Sequence, residues 1–197
     1  MPPVTSTVEL PRVYVNSAYP SLSSARTIRS VKGTCNGVAN CYTDFQAALN
    51  AAMPGDEIVI TAGLILTAPS GGFTLPAKNN SGNQWIVIRT ENINNIPAAG
   101  TRVSPSHAIH MPKILSADNL SAIQTAAGAS YYRFVGIEIS AKSTVTESSS
   151  LVMLGSYSET NVTNQAHHII FDRTYVHGVP GANTRRGFFL NSGVTAI

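Results

Sequence analysis

The chain has 197 residues, of which 43% are hydrophobic and only 12% are charged, and its formal net charge is +3. This hydrophobic share is sufficient for one domain with a real core, so the chain should fold. Lysine and arginine are scattered, with only Arg185 and Arg186 adjacent, and the basic stripe typical of nucleic-acid-binding proteins is absent. No apolar run approaches the roughly 18 residues of a membrane span. A mildly basic surface can still attract an acidic polymer such as a uronic-acid polysaccharide.

The two cysteines occupy the segment "CNGVANC", in which Cys35 and Cys41 flank an Asn-Gly pair that supplies a turn. This pattern predicts a local disulfide, and therefore an oxidising compartment; two buried thiols are the alternative. The low charged share, with Ser, Thr and Asn at the polar positions, also favours a secreted β protein over a cytosolic helical one. We therefore expect an extracellular protein.

The segment "TDFQAALNAAMPGD" predicts a short helix over residues 43–53. Thr43 and Gln46 have the spacing of a capping box, and Pro54 with Gly55 ends the run. Apolar residues recur at helical spacing and give the helix one apolar face. These residues are Phe45, Ala48, Leu49 and Ala52.

After the helix, the chain consists of short β-like segments that end in Gly, Ser, Asn or Pro, such as "NQWIVIRTE" and "YYRFVGIEIS". Residues 134–139 align with residues 171–176: each unit has an inward aromatic residue, a two-residue break and two further inward positions. Such units cannot bury a face alone, so we expect them to stack as parallel coils. Residues 34–197 would then form the coiled domain, with the helix covering its first coil, and residues 1–33 an N-terminal extension.

The segment "AHHIIFDRTYVHG" gives the most explicit prediction of side-chain direction, because alternate residues of a strand point to opposite faces. The predicted inward residues are Ile169, Phe171, Thr174 and Val176. The predicted outward residues are Ile170, Asp172, Tyr175 and His177. His167 and His168 are expected in a turn before the strand, with structural roles, and Trp85 is expected in the core.

The segments "DFQAALNAAMPGDEIVI", "WIVIRT", "YYRFVGIEI" and "HHIIFDRTYVHG" resemble the N-terminal part of bacterial secreted right-handed parallel β-helix proteins of the pectin-lyase-like superfamily. The resemblance runs from about Thr34 to the C-terminus. It implies an all-β fold, a right-handed parallel β-helix or solenoid with a short N-terminal capping α-helix. It implies an activity only loosely, because this superfamily holds polysaccharide lyases, glycoside hydrolases, esterases and proteins with no known chemistry.

Members that cleave polyuronates by β-elimination need a cation at the substrate carboxylate and a base that removes the neighbouring proton. Clustered carboxylates that hold Ca²⁺, or an Arg or Lys, supply this cation, so Ca²⁺ is the expected cofactor if the chain is a lyase. Members that hydrolyse need carboxylates at fixed separations, and the sequence has no Asp/Glu cluster at coil spacing, so hydrolysis is not favoured. No metal ligand and no catalytic residue is assigned. The candidate substrate-binding residues are polar side chains on or beside the last predicted coil. They are Asp172, Tyr175, His177, Arg185 and Arg186. Each also has a plain structural interpretation as a solvated surface residue.

The chain is consistent with two functions. The first is a secreted, carbohydrate-associated β-helix that resembles polysaccharide lyases. In its strongest form, this interpretation makes the chain the N-terminal part of a polyuronate-cleaving enzyme. The second is a non-catalytic structural or adhesive β-solenoid that stacks end to end into fibres or onto a partner. The final "NSGVTAI" resembles the start of another strand without a closing cap, so we expect either an incomplete β-helix or self-association through the last coil. The sequence leaves open whether the chain is catalytic.

Overall fold

Sheet A is the largest sheet of the fold. The computed structural model describes residues 19–191, and within them six parallel strands form this sheet, in the spatial order β13-β9-β6-β3-β1-β2. The strands are β1 (Ile28–Val31), β2 (Cys41–Tyr42), β3 (Glu57–Ile60), β6 (Ile86–Thr90), β9 (Ser130–Val135) and β13 (His167–Asp172).

Three further sheets are also parallel. Sheet B contains β4 (Ile65–Thr67), β7 (Lys113–Ser116), β10 (Glu138–Ala141) and β14 (Tyr175–Val176). Sheet C contains β5 (Phe73–Leu75), β8 (Ile123–Thr125), β12 (Val152–Leu154) and β16 (Phe188–Leu190). The small sheet D pairs β11 (Glu147–Ser148) with β15 (Asn183–Thr184).

The chain visits sheets A, B and C in that order four times, and we call each visit a pass. The passes cover residues 57–75, 86–125, 130–154 and 167–190. Equivalent residues of successive passes lie side by side, so that Ile88 pairs with Ile58 of the pass before it and with Phe134 of the pass after it. This register aligns the inward side chains of the three sheets into one apolar core shared by all four passes. The fold is therefore mostly β, with parallel sheets around a common core.

A single α-helix within residues 19–191, α1 (Phe45–Ala51), covers the N-terminal end of this core. Its predicted apolar face is buried, and the ring of Phe45 meets Phe73 of β5 edge-on at 5.0 Å. The prediction of Thr43 as the N-cap is wrong, because the side chain of Asp44 accepts the hydrogen bond from the backbone N–H of Gln46 at 2.9 Å.

The Gln46 side chain does not form the predicted capping box and binds the edge of sheet C instead. Its Oε1 accepts a hydrogen bond from the Thr74 N–H at 2.8 Å, and its Nε2 donates to the Thr74 carbonyl at 2.9 Å. β5 is the first strand of sheet C, so its outer backbone groups have no neighbouring strand there. The amide of Gln46 takes the place of that strand and protects the edge.

The predicted disulfide between Cys35 and Cys41 is confirmed, with a Cα–Cα distance of 5.5 Å. The Asn-Gly turn between the cysteines has left-handed backbone angles, with φ of 49° at Asn36 and 76° at Gly37. The bond ties the connection between β1 and β2 to the first residue of β2, immediately before α1.

The side chains of the last pass point in the predicted directions, but they are less buried than expected. Ile169 is buried in the core, whereas Phe171 and Val176 pack against the core and stay half-buried. The difference arises because β13 and β14 have no later strand beside them within the described residues. Ile170 pairs with Arg133 on the outward row and is nevertheless buried.

Two positional predictions before this strand are wrong. His167 and His168 belong to β13 and not to a turn, because the His167 N–H donates to the Ala129 carbonyl and extends the ladder. Trp85 is only partly buried and lies outside the main core, since it directly precedes β6 on the outward side of Ile86.

The outer face of sheet A carries a second apolar cluster. Val87 and Val135 point outward from β6 and β9, and both are fully buried. Ile96 and Met111, from the connection between β6 and β7, cover them. Only part of this outer face is therefore open to a ligand.

The predicted N-terminal extension contributes a strand to the fold: β1 lies within residues 1–33 and pairs with β3. Residues 1–18 of that extension and residues 192–197 of the predicted coiled domain lie outside the described residues. No helix between residues 19 and 191 has the length and apolar character needed to cross a membrane.

Candidate functional site

The corner where the chain turns from sheet A into sheet B carries three of the predicted site residues, Asp172, Tyr175 and His177. The turn needs a residue with left-handed backbone angles, and successive passes supply Gly136 (φ 65°) and Arg173 (φ 48°). These two positions are equivalent, because the residues just before them are paired across β9 and β13. The repeated corner therefore fixes where the Arg173 side chain leaves the backbone.

Asp172 binds two guanidinium groups. Its Oδ2 accepts hydrogen bonds from Arg133 at 2.8 Å and Arg173 at 3.0 Å, and its Oδ1 accepts a second bond from Arg173 at 3.0 Å. Burial acts to raise the pKa of Asp172, but the hydrogen bonds and charges of Arg173 and Arg133 outweigh it and lower the pKa. Asp172 is therefore an ionised group that orients Arg173, and its carboxylate is already occupied.

An open depression of about 490 Å³ lies beside Arg173. Its lining also includes Tyr19 and the segment that follows β6. The lining residues of that segment are Ile93, Asn94, Ile96, Pro97 and Ala98. Arg173 Nη1 donates to the Pro97 carbonyl at 2.9 Å, which fixes the guanidinium at the wall. We call this depression the Tyr19–Arg173 groove.

Tyr19 is held in place by charged groups on the outer face of sheet A. Its ring centre lies 5.3 Å from the guanidinium carbon of Arg133, and its hydroxyl lies 3.5 Å from Oε1 of Glu57. Burial raises the pKa of Tyr19, and the charge of Glu57 raises it further. The hydroxyl therefore stays protonated at neutral pH, where it can donate a hydrogen bond but is a poor general base.

Glu57 repeats the arrangement seen at Asp172. Its carboxylate binds Arg26 at 3.1 Å and Arg89 at 2.5 Å. Burial acts to raise the pKa of Glu57, and the hydrogen bonds and charges of Arg89 and Arg26 outweigh it and lower the pKa. At both Glu57 and Asp172, two guanidinium groups thus face one carboxylate, so this side of sheet A is net positive.

Glu138 is the centre of a second cluster, on the outer row of sheet B. It is buried, and its two oxygens lie 3.0 and 2.9 Å from Lys113 Nζ. His177 Nε2 lies 3.0 Å from Glu138 Oε1, while His177 Nδ1 lies 2.9 Å from the Gly178 carbonyl oxygen. Both ring nitrogens lie within hydrogen-bond distance of oxygen acceptors, so the ring is already engaged by the protein. Tyr175 stacks on this ring at 4.3 Å.

Arg185 and Arg186 lie between β15 and β16, on the other side of the pass from the corner. Arg185 pairs with Glu147 of β11, and the Arg186 guanidinium lies 4.6 Å over the Phe189 ring. The structure therefore brings Tyr175 and His177 together and places Asp172 at the same corner, but it sets the two arginines apart from them.

The carboxylates of this chain do not fit the Ca²⁺ that the resemblance implies for a lyase. Calcium takes six to eight oxygen ligands, several of them from carboxylates. In the part of the chain that the structure describes, no three His, Cys, Asp or Glu side chains gather at one point. Glu57, Glu138 and Asp172 are each engaged by basic side chains instead.

The sequence analysis did not predict four site residues: Tyr19, Lys113, Arg133 and Arg173. Arg133 could have been found, because it occupies an outward position in the same alternating segment as Tyr132 and Phe134. Lys113 becomes visible only when its strand is placed in register with Glu138. No sequence pattern pointed to Tyr19, because it precedes the first strand and only the folded chain brings it to the groove.

No protein-family model matches the chain, and no curated protein matches it. Among solved structures, an alginate lyase from Paenibacillus sp. str. FPU-7 is similar to it, with a TM-score of 0.42 and 17% sequence identity. The similarity covers 66% of this chain and 32% of the lyase, so the chain spans about a third of the length of that protein.

Proposed function

We propose that sheets A, B and C are the three faces of a right-handed parallel β-helix, the fold of the pectin-lyase-like superfamily. Four passes in constant order and register support this architecture. The right hand is expected because crossovers between parallel strands of one sheet are right-handed in about 98% of cases. In this proposal the β-helix also includes β1 (Ile28–Val31), from the segment predicted to be an extension, and α1 is its N-terminal cap.

We further propose that the Tyr19–Arg173 groove binds an acidic polysaccharide. The observation that carries the proposal is that a fixed guanidinium and an aromatic ring line the same open groove. A guanidinium binds a carboxylate through charge-assisted hydrogen bonds, and an aromatic ring provides a flat apolar surface for a sugar ring. The surplus of guanidinium groups around Glu57 and Asp172 adds a longer-range attraction for a polyanion.

The predicted site residues take different roles in this proposal. Asp172 positions Arg173 for a substrate carboxylate. Tyr175 and His177 lie at the same corner and would contact the next sugar units. Arg185 and Arg186 would provide a second basic contact for a long polymer.

We propose that the protein is secreted. A disulfide persists in oxidising compartments, and the bond between Cys35 and Cys41 supports an extracellular location. Binding has more support than cleavage, because elimination needs a base with a free lone pair. The raised pKa of Tyr19 and the occupied ring nitrogens of His177 make both residues poor candidates for that base.

Titration calorimetry with an oligouronate tests this function through two variants that each lose one positive charge. Arg173→Gln should weaken binding by about tenfold or more, as expected for the loss of a charge-assisted hydrogen bond. Arg102→Gln, at an exposed position outside the groove, should change it little. Equal effects of the two variants, or no binding by the wild type, would refute the groove. Ultraviolet absorbance of the same mixtures reports unsaturated products and separates cleavage from binding.

Exposed apolar side chains in β16, the last described strand of sheet C, favour a second candidate function, self-association. Phe188 and Leu190 of β16 are 38% and 49% exposed, although their partners in β12 are fully buried. Because α1 covers the other end of the core, contact between two C-terminal ends is favoured over head-to-tail stacking into a fibre. We propose that a second copy of this chain would instead meet the C-terminal end through its own C-terminal end.

Sedimentation velocity over a range of concentrations tests this contact. The wild type should form a dimer that Leu190→Asp abolishes. Leu120→Asp is the matched control, because Leu120 is 44% exposed and lies outside β16. A wild type that stays monomeric, or equal effects of the two substitutions, would rule out self-association through this end.

A further inference from the structure

Two histidine rings converge at the start of β13. Neighbouring residues of a regular strand point to opposite faces, but Nδ1 of His167 and Nδ1 of His168 lie only 2.6 Å apart. The cause is the backbone of His168, which has a left-handed φ of 51°. Tyr131, the residue opposite His168 in β9, has the same unusual conformation, with φ of 60°. The alternation is therefore broken at matched positions in two neighbouring strands.

Aromatic rings hold this pair of histidines in place. The ring of Tyr131 stacks on His168 at 4.5 Å, with only 10° between the planes, and meets His167 edge-on at 5.7 Å. Trp85 in turn contacts Tyr131 edge-on at 5.5 Å. The two imidazoles are thus oriented before any ligand arrives, which reduces the entropy lost on binding. Left-handed backbone at bulky residues is uncommon and concentrates at functional sites.

The nitrogen atoms are suitable metal ligands. An imidazole nitrogen that carries no hydrogen has a lone pair available for a metal ion. Without a ligand, one Nδ1 donates its hydrogen to the other. When an ion takes both lone pairs, the donor ring carries its hydrogen on Nε2 instead. An ion about 2.0 to 2.1 Å from both nitrogens, with a right angle between the bonds, keeps them about 2.9 Å apart. The two nitrogens need to separate by about 0.3 Å, and the rings must rotate so that both lone pairs point at the ion.

We propose that His167 and His168 form a two-nitrogen site for a divalent transition-metal ion, completed by water, in which Cu²⁺ is held most tightly. Imidazole nitrogen suits Cu²⁺, Ni²⁺ and Zn²⁺, and Cu²⁺ leads the order of affinity among these ions. Ca²⁺ and Mg²⁺ prefer oxygen ligands and are not expected here. Metal binding at this pair does not depend on polysaccharide binding in the groove.

Titration of the whole protein with Cu²⁺, followed by electron paramagnetic resonance, tests the site. The expected result is one bound ion per chain, with spectroscopic couplings from two imidazole rings. His168→Asn should weaken binding at least tenfold, and asparagine tolerates the left-handed backbone, so the fold should persist. His110→Ala removes a histidine elsewhere and should leave binding unchanged.

Absence of a stoichiometric site, coupling to fewer than two imidazoles in the wild type, or loss of binding in His110→Ala alone would each overturn the proposal. The imidazole count is made on the wild type, so it decides the question even if His168→Asn does not fold.

Discussion

The two ends of the β structure differ in what covers them. At the N-terminal end, α1 closes the core, its Leu49 is fully buried and Gln46 binds the edge of sheet C. At the C-terminal end, Leu190 is 49% exposed, although its partner Leu154 in the preceding pass is fully buried. Side chains of the same chemistry thus differ in burial because one has a later pass beside it. In a stacked fold, the stability that a residue provides depends on its neighbouring passes as much as on its own strand.

The largest expected effect compares equivalent phenylalanines of successive passes. Phe134 is fully buried and stacks on the half-buried Phe171 at 4.8 Å. Phe134→Ala should lower the free energy of unfolding by about 3 to 5 kcal/mol, through a cavity in the core. Phe171→Ala should cost about half as much, because part of that ring is still exposed to water in the folded protein. Urea unfolding measures both losses, and equal losses would show that the last pass is covered in solution.

The next comparison uses one leucine from each end. Leu49→Ala removes a fully buried side chain from α1 and should cost about 2 to 5 kcal/mol. Leu190→Ala removes a half-exposed side chain and should cost less than about 1 kcal/mol. Thermal and urea unfolding of the two variants provide the test. A loss below about 0.5 kcal/mol for Leu49→Ala would contradict the role of α1 as a cover for the core.

Removal of the disulfide should produce an intermediate effect at the covered end. The cross-link closes a short loop, so the double substitution Cys35→Ser and Cys41→Ser should lower stability by about 2 kcal/mol. Calorimetric melting compared with the wild type measures the change. Free-thiol titration of the denatured, unreduced wild type should detect no thiol, and two reactive thiols would contradict the bond.

A smaller effect is expected at the corner of the last pass. His177 hydrogen-bonds the buried Glu138, so His177→Ala should cost about 1 kcal/mol, more than the change of less than about 0.5 kcal/mol expected for a surface residue. Arg186→Ala, on the exposed side of the same pass, supplies that surface reference. Equal losses of stability in the two variants would contradict the hydrogen bond between His177 and Glu138.

The smallest effect should come from pH, because it acts only through differences between folded and unfolded pKa values. The pKa values of Glu57 and Asp172 are both lowered from their ordinary values of 4.5 and 3.8. Their contribution is therefore complete above about pH 5 and is lost as the pH falls through the lowered values. Glu57→Gln and Asp172→Asn should each flatten the acid limb of a stability profile. An unchanged acid limb would contradict the ion pairs.

Local sequence patterns could predict the elements but not the contacts between distant segments. The disulfide, the helix and the direction of Ile169 follow from spacing alone, and the structure confirms them. The half-burial of Phe171 could not be predicted, because it depends on whether another strand lies beside β13. The N-cap was misassigned since Gln46 has a stronger use at the edge of sheet C.

The candidate site was predictable to a similar extent. Alternation in the strand indicated that Asp172 points outward, but the pattern carried no information that two guanidinium groups occupy its carboxylate. Arg173 becomes the relevant group because the corner turns its side chain toward Pro97 and the groove. Tyr19 lies more than a hundred residues upstream in the chain, and no periodic pattern links it to the site.

In the proposed function, Arg173 recognises the carboxylates of an acidic polysaccharide. Titration calorimetry of the wild type with an oligogalacturonate, and with the same oligomer after reduction of its carboxyl groups, tests it most directly. The two ligands share length and ring structure and differ in charge. Binding of the acidic oligomer should be at least about tenfold tighter and should weaken with salt, as expected for a contact between charges. Equal affinities for the two oligomers, or no affinity for either, would contradict the claim.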